Sequence, residues 1–388
     1  MRHTVFVRDK VNKHSIRALI AAFEKWFPER DYSVLSPEDV TDNAPKSSLA
    51  VISYATGASK YYTQLSEKLK LLRPDINTVC GGPHPCAKPQ ESTELFHAVC
   101  KGEGEITIKD IILQGDSSHV SGIIQGEPVK DLNEFKVFPR KIISLGPIEI
   151  IRGCPSRCAY CQTPQLFPGK LRMRSPETVA EEIKFALSRK GFADARFIAP
   201  DASSYYYDKG VNIPAIEYFL STVRETLGRN GKLFFGTFPS ELDPAGVNKE
   251  LVELLVKYCD NKQIVLGLQS ASAKMKRAMT RRSGLEHTEN AIELFKAKGF
   301  EIVIDLIFGL PYEDEESYNE TYRFIEKYKG QVTIHAHPFD PLPGSKWEYE
   351  TPTQVPPRLI KLVRSLEGIG RVFGRITKAT DEKSCCKG

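Results

Sequence analysis

Arg152-Gly153-Cys154-Pro155-Ser156-Arg157-Cys158-Ala159-Tyr160-Cys161 is the stretch from which the rest of the chain is read. Its cysteines fall in a Cys-x3-Cys-x2-Cys run directly after the apolar segment Ile148–Ile151. Thiolates held that close on one short loop select a metal. Structural zinc takes a fourth ligand, usually from a second Cys or His pair further along. No such pair follows: Cys259 stands alone, and Cys385 and Cys386 are adjacent, which suits chelation poorly. An iron–sulfur cube can use three cysteines and leave one iron open. Open iron can bind a ligand through nitrogen and oxygen and pass it an electron, at a potential the protein tunes.

This spacing, with an aromatic residue directly before the third cysteine, resembles the signature of the radical SAM enzymes at Cys154, Cys158, Tyr160 and Cys161. The resemblance implies a 4Fe-4S cluster on those cysteines, which are then both metal ligands and catalytic residues. It also implies S-adenosyl-L-methionine chelated to the open iron through its amino and carboxylate groups, and a 5′-deoxyadenosyl radical formed when an electron splits the sulfonium. A zinc knuckle or a chance cluster is the alternative.

A length of 388 residues favours two or three domains with ample core. The 54 basic residues against 49 acidic ones give a net charge of +5 with no basic block, so a nucleic-acid partner is not expected. Nine cysteines, an odd number with three in one cluster, argue against a disulfide framework and for a reducing cytoplasm. The N-terminus, MRHTVFVRDK, lacks the apolar region of a signal peptide, and no apolar run approaches a membrane span.

Residues 1–114 read as alternating strands and helices: strands at Thr4–Val7, Tyr32–Leu35, Leu49–Ser53, Ile76–Cys80 and Ala98–Cys100, helical spacing at Ile16–Phe27 and Tyr61–Leu72, and a last helix ending near Leu113. That alternation predicts an α/β fold, a Rossmann-like doubly wound parallel sheet with ligands at the carboxyl ends of its strands. Polar and glycine-rich residues fall at those ends: Ser53-Tyr54-Ala55-Thr56-Gly57, then Gly81-Gly82-Pro83-His84-Pro85, then Gly102-Glu103-Gly104-Glu105. Glycine lets backbone approach a large planar ligand. Together these resemble the cobalamin-binding domain that precedes many radical SAM domains. The resemblance makes Ser53, Thr56, Gly81, Gly82, Pro83, His84 and Glu103 candidate cofactor contacts. An Asp-x-His-x-x-Gly motif for an axial histidine is missing, since Asp9 and His14 are wrongly spaced; cobalt is held without a protein histidine in many cobalamin-dependent radical SAM enzymes. The alternative is a degenerate cap whose glycines serve only as turns.

Residues 115–146 read as a linker, turn-forming at GDSSHVSG and without clear periodicity at DLNEFKVFPRK. From Pro147 the alternation resumes, with strands at Ile148–Arg152, Ala195–Ala199, Leu233–Thr237, Gln263–Leu268, Glu301–Phe308 and Val332–Ala336. Ser175-Pro176 opens a helix to about Arg189 as N-cap and first-turn proline. Six such units over residues 147–345 predict a partial (β/α)6 barrel, whose chemistry sits on loops at the carboxyl ends of the strands. The cysteine loop occupies that end of the first strand. By resemblance, Tyr160, Ser240, Gln269, Ser270 and Arg281 are candidates for holding S-adenosyl-L-methionine, and Asp201 stands where the family usually shows Gly-Gly-Glu for the amino group. A helix cap or a satisfied loop polar group is the plainer reading of each. His335 and His337 alternate on the sixth strand and so share a face with access to the barrel interior; the plainer reading is that one packs and one bonds backbone. Residues 346–388 read as one apolar helix, Leu359–Val372, and a polar tail.

The resemblance spans roughly residues 1–345 and implies a cobalamin-dependent (class B) radical SAM enzyme, subfamily unassigned. A C-methyltransferase acting on an unactivated carbon is the leading expectation, with methylcobalamin as methyl source, a small-molecule or peptide substrate and an electron donor of ferredoxin or flavodoxin type. Alternatives are a radical SAM cyclase or rearrangement enzyme without net methyl transfer, a methylthiotransferase, and a non-catalytic iron–sulfur and corrinoid sensor. Methylthiotransferases carry a second three-cysteine cluster in the N-terminal domain and a C-terminal RNA-binding barrel. Here Cys80, Cys86 and Cys100 are near one another in sequence, but no terminal barrel is evident. Replacing Cys154, Cys158 and Cys161 together by Ala is expected to abolish the near-ultraviolet and visible absorption of the reconstituted cluster. Full iron retention in that variant would refute the assignment.

Overall fold

The structure, a computed structural model, describes residues 2–169, 171–189 and 192–376. They form two compact units: residues up to Glu149 together with Gln162–Ala193, and Ile150–Cys161 together with the described residues from Asp194 onward. Among the described residues no helix is long and apolar enough to cross a membrane.

The first unit runs β1 (Thr4–Val7), α1 (Lys13–Trp26), β2 (Tyr32–Leu35), α2 (Val40–Asn43), β3 (Leu49–Ser53), α3 (Ser59–Leu72), β4 (Asn77–Gly81), α4 (Pro83–Ala87), α5 (Pro89–Leu95), β5 (Ala98–Lys101), α6 (Gly104–Ser117) and β6 (Gly122–Gln125). The sheet has the order β2-β1-β3-β4-β5-β6 and every pair is parallel. A parallel sheet needs cover on both faces, and successive side chains supply two cores. Phe6, Val51, Val79 and Ala98 join Ile20 and Phe23 of α1 and Ile108 and Ile112 of α6 on one face. Val5, Val7, Ile52, Cys80 and Val99 join Tyr62, Leu65 and Leu69 of α3 on the other. The sheet is therefore doubly wound, and its order changes direction between β1 and β3, where such sheets open a crevice.

The stretch read as a linker is structured. Gly122–Gln125 adds β6 to the edge of the sheet beside β5. Its four residues are mostly exposed, so no burial period marks them in the sequence. Further on, Leu132 and Phe135 join the core over α1 and α6. After β7 (Ile148–Glu149) and β8 (Ile151–Arg152) come α7 (Thr163–Leu166), β9 (Arg172–Met173) and α8 (Pro176–Leu187). As expected, α8 starts on a Ser175 cap, whose Oγ accepts from the Thr178 amide at 3.2 Å, with Pro176 in the first turn. Its Glu182 is fully buried, accepts from the amides of Val137 and Phe138, and pairs with Arg140. That carboxylate ties residues 137–140 to α8 within the first unit.

In the second unit the Ile150 amide donates to the Ile198 carbonyl at 3.0 Å. The remaining strands are β10 (Asp194–Ala195), β11 (Phe197–Ile198), β12 (Lys232–Leu233), β13 (Gln263–Gln269), β14 (Glu301–Phe308), β15 (Thr333–Pro338) and β16 (Val372–Gly374). Parallel pairing joins β10 with β12, makes bridges at Ala199 with Ser240 and Leu242 with Leu266, and then runs β13-β14-β15-β16. Sequence order equals spatial order, as in a singly wound barrel wall. Helices α9 (Ile213–Leu227), α10 (Lys249–Tyr258), α11 (Ala273–Ala278), α12 (Leu285–Lys296), α13 (Glu315–Lys327) and α14 (Pro357–Glu367) intervene. The wall has one strand more than the sequence indicates. The helix expected over Leu359–Val372 ends at Glu367, and Val372–Gly374 pairs with β15 instead. Three residues are too few to show an alternation. Cys385 and Cys386 lie outside the described residues.

Gly82 is fixed by its surroundings. Its φ is +94°, and an added Cβ would lie 2.8 Å from Ser53 Oγ and 2.9 Å from the Tyr54 carbonyl oxygen. Gly82→Ala should therefore cost about 1–3 kcal/mol, read as a lowered midpoint in denaturant unfolding. Gly57→Ala, where nothing stands within 4 Å of the new atom, should cost far less.

Candidate functional site

The cysteine loop is built from both sides. Gly153, with φ +90°, turns the chain out of β8. The Ala159 amide donates to the Met279 carbonyl at 2.9 Å, and the Trp347 amide donates to the Ala159 carbonyl at 3.1 Å. Ala159 packs with Met275, Met279, Leu310, Phe339 and Trp347, an apolar bed under the loop. Thr280 Oγ1 donates to the Arg157 carbonyl at 2.7 Å. These contacts fix the backbone, so the sulfurs need no large rearrangement to find a partner.

Arg281 supports the loop from inside. Its side chain is buried and donates to Tyr160 Oη at 3.1 Å, lies 3.7 Å from Cys158 Sγ, bonds the Gly267 carbonyl, and faces Asp243 at 3.4 Å. Arg282 continues the ionic chain to Asp201 at 3.2 Å and Asp243 at 3.9 Å. Burial works against the Arg281 charge, but Tyr160, Asp243 and Cys158 outweigh it and hold the proton more firmly than usual. Burial, then the charges of Asp201 and the other two cysteines, push the Cys154 thiol up to about 12. Metal binding must therefore displace that proton.

The donor set suits a cluster. A single zinc at about 2.3 Å from each sulfur would draw them to roughly 3.8 Å of one another. Among the described residues, the group of three ligand atoms all within 4.8 Å is Asp305, His335 and His337, not the cysteines. In an iron–sulfur cube each ligand sulfur binds a different iron. Three thiols would leave the fourth iron for another ligand.

A cavity of about 210 Å³ lies in the same unit, lined by Tyr160, Glu241, Gln269, Asp305, His337 and Asp340 among others. Gln269 reaches it through a bulge between Gly267 and Gln269 that leaves Gln269 at φ +68°, strained backbone of the kind found at functional sites. Of the residues proposed by resemblance to hold S-adenosyl-L-methionine, Tyr160 and Gln269 line this cavity. Ser240 and Ser270 are buried: Ser240 Oγ donates to the Thr237 carbonyl at 3.1 Å, and Ser270 Oγ accepts from the Ser272 amide at 3.2 Å. Asp201 is also buried. Its oxygens accept from the Ser203 amide and hydroxyl, the Ser204 hydroxyl, the Asp243 amide and Arg282. Those donors use the acceptor capacity of a carboxylate.

The two histidines do not divide into one packed and one bonded to backbone. His335 Nδ1 lies 2.9 Å from Asp305 Oδ1, and His337 Nε2 lies 3.0 Å from His335 Nδ1. Burial, then the charge and hydrogen bond of the neighbouring Asp305, push Glu241 well above the usual carboxylate range. Burial opposes the Asp305 charge, but hydrogen bonds from His335, His337 and Glu241 hold it below its ordinary value. Glu241 and Asp305 escaped the sequence reading as a pair because Glu241 lies in the irregular segment between β12 and β13 and Asp305 on β14. Asp243 and Arg282 escaped it because each reads as an ordinary loop polar residue.

In the first unit the sheet's carboxyl edge brings together Ser53, Thr56, Gly81, Gly82 and His84. The Tyr54 amide donates to the Gly81 carbonyl at 3.1 Å, and His84 Nδ1 lies 3.4 Å from Thr56 Oγ1. Pro83 opens α4. His84 is buried and turned toward Thr56 and Glu91, so it is not aimed outward as an axial ligand would be. Glu103 is engaged elsewhere: it pairs with Arg172 at 2.7 Å and accepts from the Val129 amide at 3.2 Å. A small-residue edge beside open space at Gly57, at the crevice of a doubly wound sheet, fits a corrinoid held without protein histidine.

Residues 148–325 match the radical SAM superfamily. The ribosomal protein uS12 methylthiotransferase of Acetivibrio thermocellus is 33% identical over 190 residues, which is 47% of this chain and 39% of that relative. The chain thus matches less than half of that relative's length. Among solved structures, the radical S-adenosylmethionine methyltransferase TsrM of Kitasatospora setae, with cobalamin and a [4Fe-4S] cluster bound, aligns over 89% of this chain and 77% of its own, with TM-score 0.68 and 14% identity. The cobalamin-dependent S-adenosylmethionine radical enzyme OxsB aligns over 97% of this chain and 58% of its own, with TM-score 0.66 and 16% identity. At these identities the likeness is one of fold. A three-cysteine loop closing the first strand of a parallel, singly wound wall, within a stretch that matches the superfamily, makes residues 148–325 a radical SAM domain and the chain that carries it an enzyme.

Proposed function

We propose that the chain is a cobalamin-dependent radical SAM C-methyltransferase acting on an unactivated carbon. One observation carries this reading: the doubly wound first unit presents small residues at its crevice while the second holds the cysteine loop, the pairing of folds found in two cobalamin-binding proteins. When bound, the cluster with S-adenosyl-L-methionine supplies a carbon radical able to take hydrogen from an inert C–H bond, and the corrinoid supplies a methyl group. The chain's own residues position and shield. Cys154, Cys158 and Cys161 hold the cluster. Tyr160 and Gln269 bound the cavity that receives S-adenosyl-L-methionine, and Arg281 keeps Tyr160 and Cys158 in place. Met275, Met279, Phe339 and Trp347 keep water from the underside of the loop.

A methylthiotransferase is the second reading, favoured by the sequence relatives. It asks for a second three-cysteine cluster in the first unit. Cys80 packs into the core on one face of the sheet, while Cys100 packs into the core on the other. Cys86 Sγ accepts from the Gly102 amide at 3.2 Å. Thiols on opposite faces of one sheet do not meet on one cube, which weighs against this reading.

Anaerobic reconstitution with iron, sulfide and hydroxocobalamin should give one corrinoid per chain and, with reductant and S-adenosyl-L-methionine, 5′-deoxyadenosine. Substrate recovered from the reaction should gain the mass of one methyl group. Formation of 5′-deoxyadenosine without any bound corrinoid would overturn the methyltransferase reading and leave the radical SAM domain standing. Gln269→Ala should raise the KM for S-adenosyl-L-methionine about tenfold, the effect of losing one hydrogen bond worth about 1.4 kcal/mol; an unchanged KM would remove Gln269 from the site.

A further inference from the structure

We propose that Asp305, His335 and His337 form a binding site for a divalent first-row metal ion, separate from the cysteine loop. Asp305 on β14 is the register partner of His335 on β15, and His337 follows two residues on, so all three share one face of the sheet. Their ligand atoms converge: His335 Nδ1 to Asp305 Oδ1 is 2.9 Å, His337 Nε2 to His335 Nδ1 is 3.0 Å, and His337 Nε2 to Asp305 Oδ1 is 3.9 Å. The circle through these atoms has a radius of roughly 2.0 Å, the length of a bond from zinc to imidazole nitrogen or carboxylate oxygen.

Hydrogen bonding places two partners on the single proton or lone pair of His335 Nδ1. A histidine Nδ1 carries either a proton or a lone pair. If His335 Nδ1 donates to Asp305, its proton is already engaged when His337 Nε2 comes within 3.0 Å. If it accepts from His337, its lone pair faces a carboxylate oxygen. A cation accepts all three lone pairs at once. The supports are those of a ligand set. The His335 ring is stacked on Phe373 with centroids 4.4 Å apart and met edge-on by Phe238 at 5.1 Å, which fixes its orientation. Glu241 is a hydrogen-bonding neighbour of the Asp305 carboxylate, as ligating carboxylates have. Asp305 and His337 line the cavity that Tyr160, Gln269 and Asp340 also line. Two imidazoles and one carboxylate suit Zn²⁺, Fe²⁺ or Co²⁺ better than Mg²⁺ or Ca²⁺.

The inference is independent of the methyl-transfer reading. The full chain, with its iron–sulfur cluster reconstituted so that the loop cysteines are occupied, would be equilibrated with Zn²⁺, desalted, and assayed for zinc and iron together. One zinc per chain is expected, falling at least tenfold in His337→Ala and in the isosteric Asp305→Asn with iron unchanged. Zinc K-edge absorption of the unmutated chain should show nitrogen and oxygen ligands at about 2.0–2.1 Å and no sulfur at about 2.3 Å. Absence of zinc from the unmutated chain, equal zinc in the variants, or sulfur around the metal would each overturn the site and leave a hydrogen-bonded His–Asp group.

Discussion

The guanidinium of Arg281 is the contact on which the second unit's chemistry rests. It reaches a cysteine sulfur, a tyrosine hydroxyl, the carbonyl at a strand bulge and an acidic side chain from one buried position. Its fork of donors in fixed directions lets one residue couple the cysteine loop to β13. A lysine would offer a single charged point and could not span those partners. Desolvating this cation is costly, and Asp243 offsets that cost. The acidic residue is in turn backed by Arg282 and Asp201, so the loop stands on a chain of alternating charges rather than on one ion pair.

Division of labour between hydrophobic and polar contacts runs through both units. Apolar side chains set the layers: alternate residues of β1, β3, β4 and β5 feed two separate cores. Buried charged groups then fix where irregular segments lie. Glu182 does this for residues 137–140, Glu103 and Arg172 for the stretch around Val129, and the Arg281 network for the cysteine loop. Each is a buried charge with a partner, the condition under which such burial is tolerated.

Much of this was legible in the sequence. The cysteine spacing, strands β1 to β5 of the first sheet and the proline-opened helix α8 are local signals, and they survive. Two of the edge strands were not legible. β6 and β16 are short and partly exposed, so nothing in their residues distinguishes them from loop; pairing with β5 and β15 makes them strands. Side-chain partners between distant strands were equally hidden. Asp201 reads as a candidate contact for the S-adenosyl-L-methionine amino group or as a satisfied loop polar group, and the second reading prevails once Arg282 and the Asp243 amide are seen beside it. His335 and His337 can be placed on one face by alternation, but the acid that meets them comes from β14.

Phe373 stacks on His335 from a strand laid down near the end of the described chain. During synthesis, β14 and β15 leave the ribosome before the residue that steadies their histidine exists. Until Val372–Gly374 docks, the imidazole lacks that stack and is held by Asp305 and Phe238. Long-range closure of that kind is slow compared with helix formation. The cysteine loop waits in the same way on Trp347, whose amide holds Ala159. Iron delivered to a nascent chain would therefore meet a loop whose geometry is not yet determined.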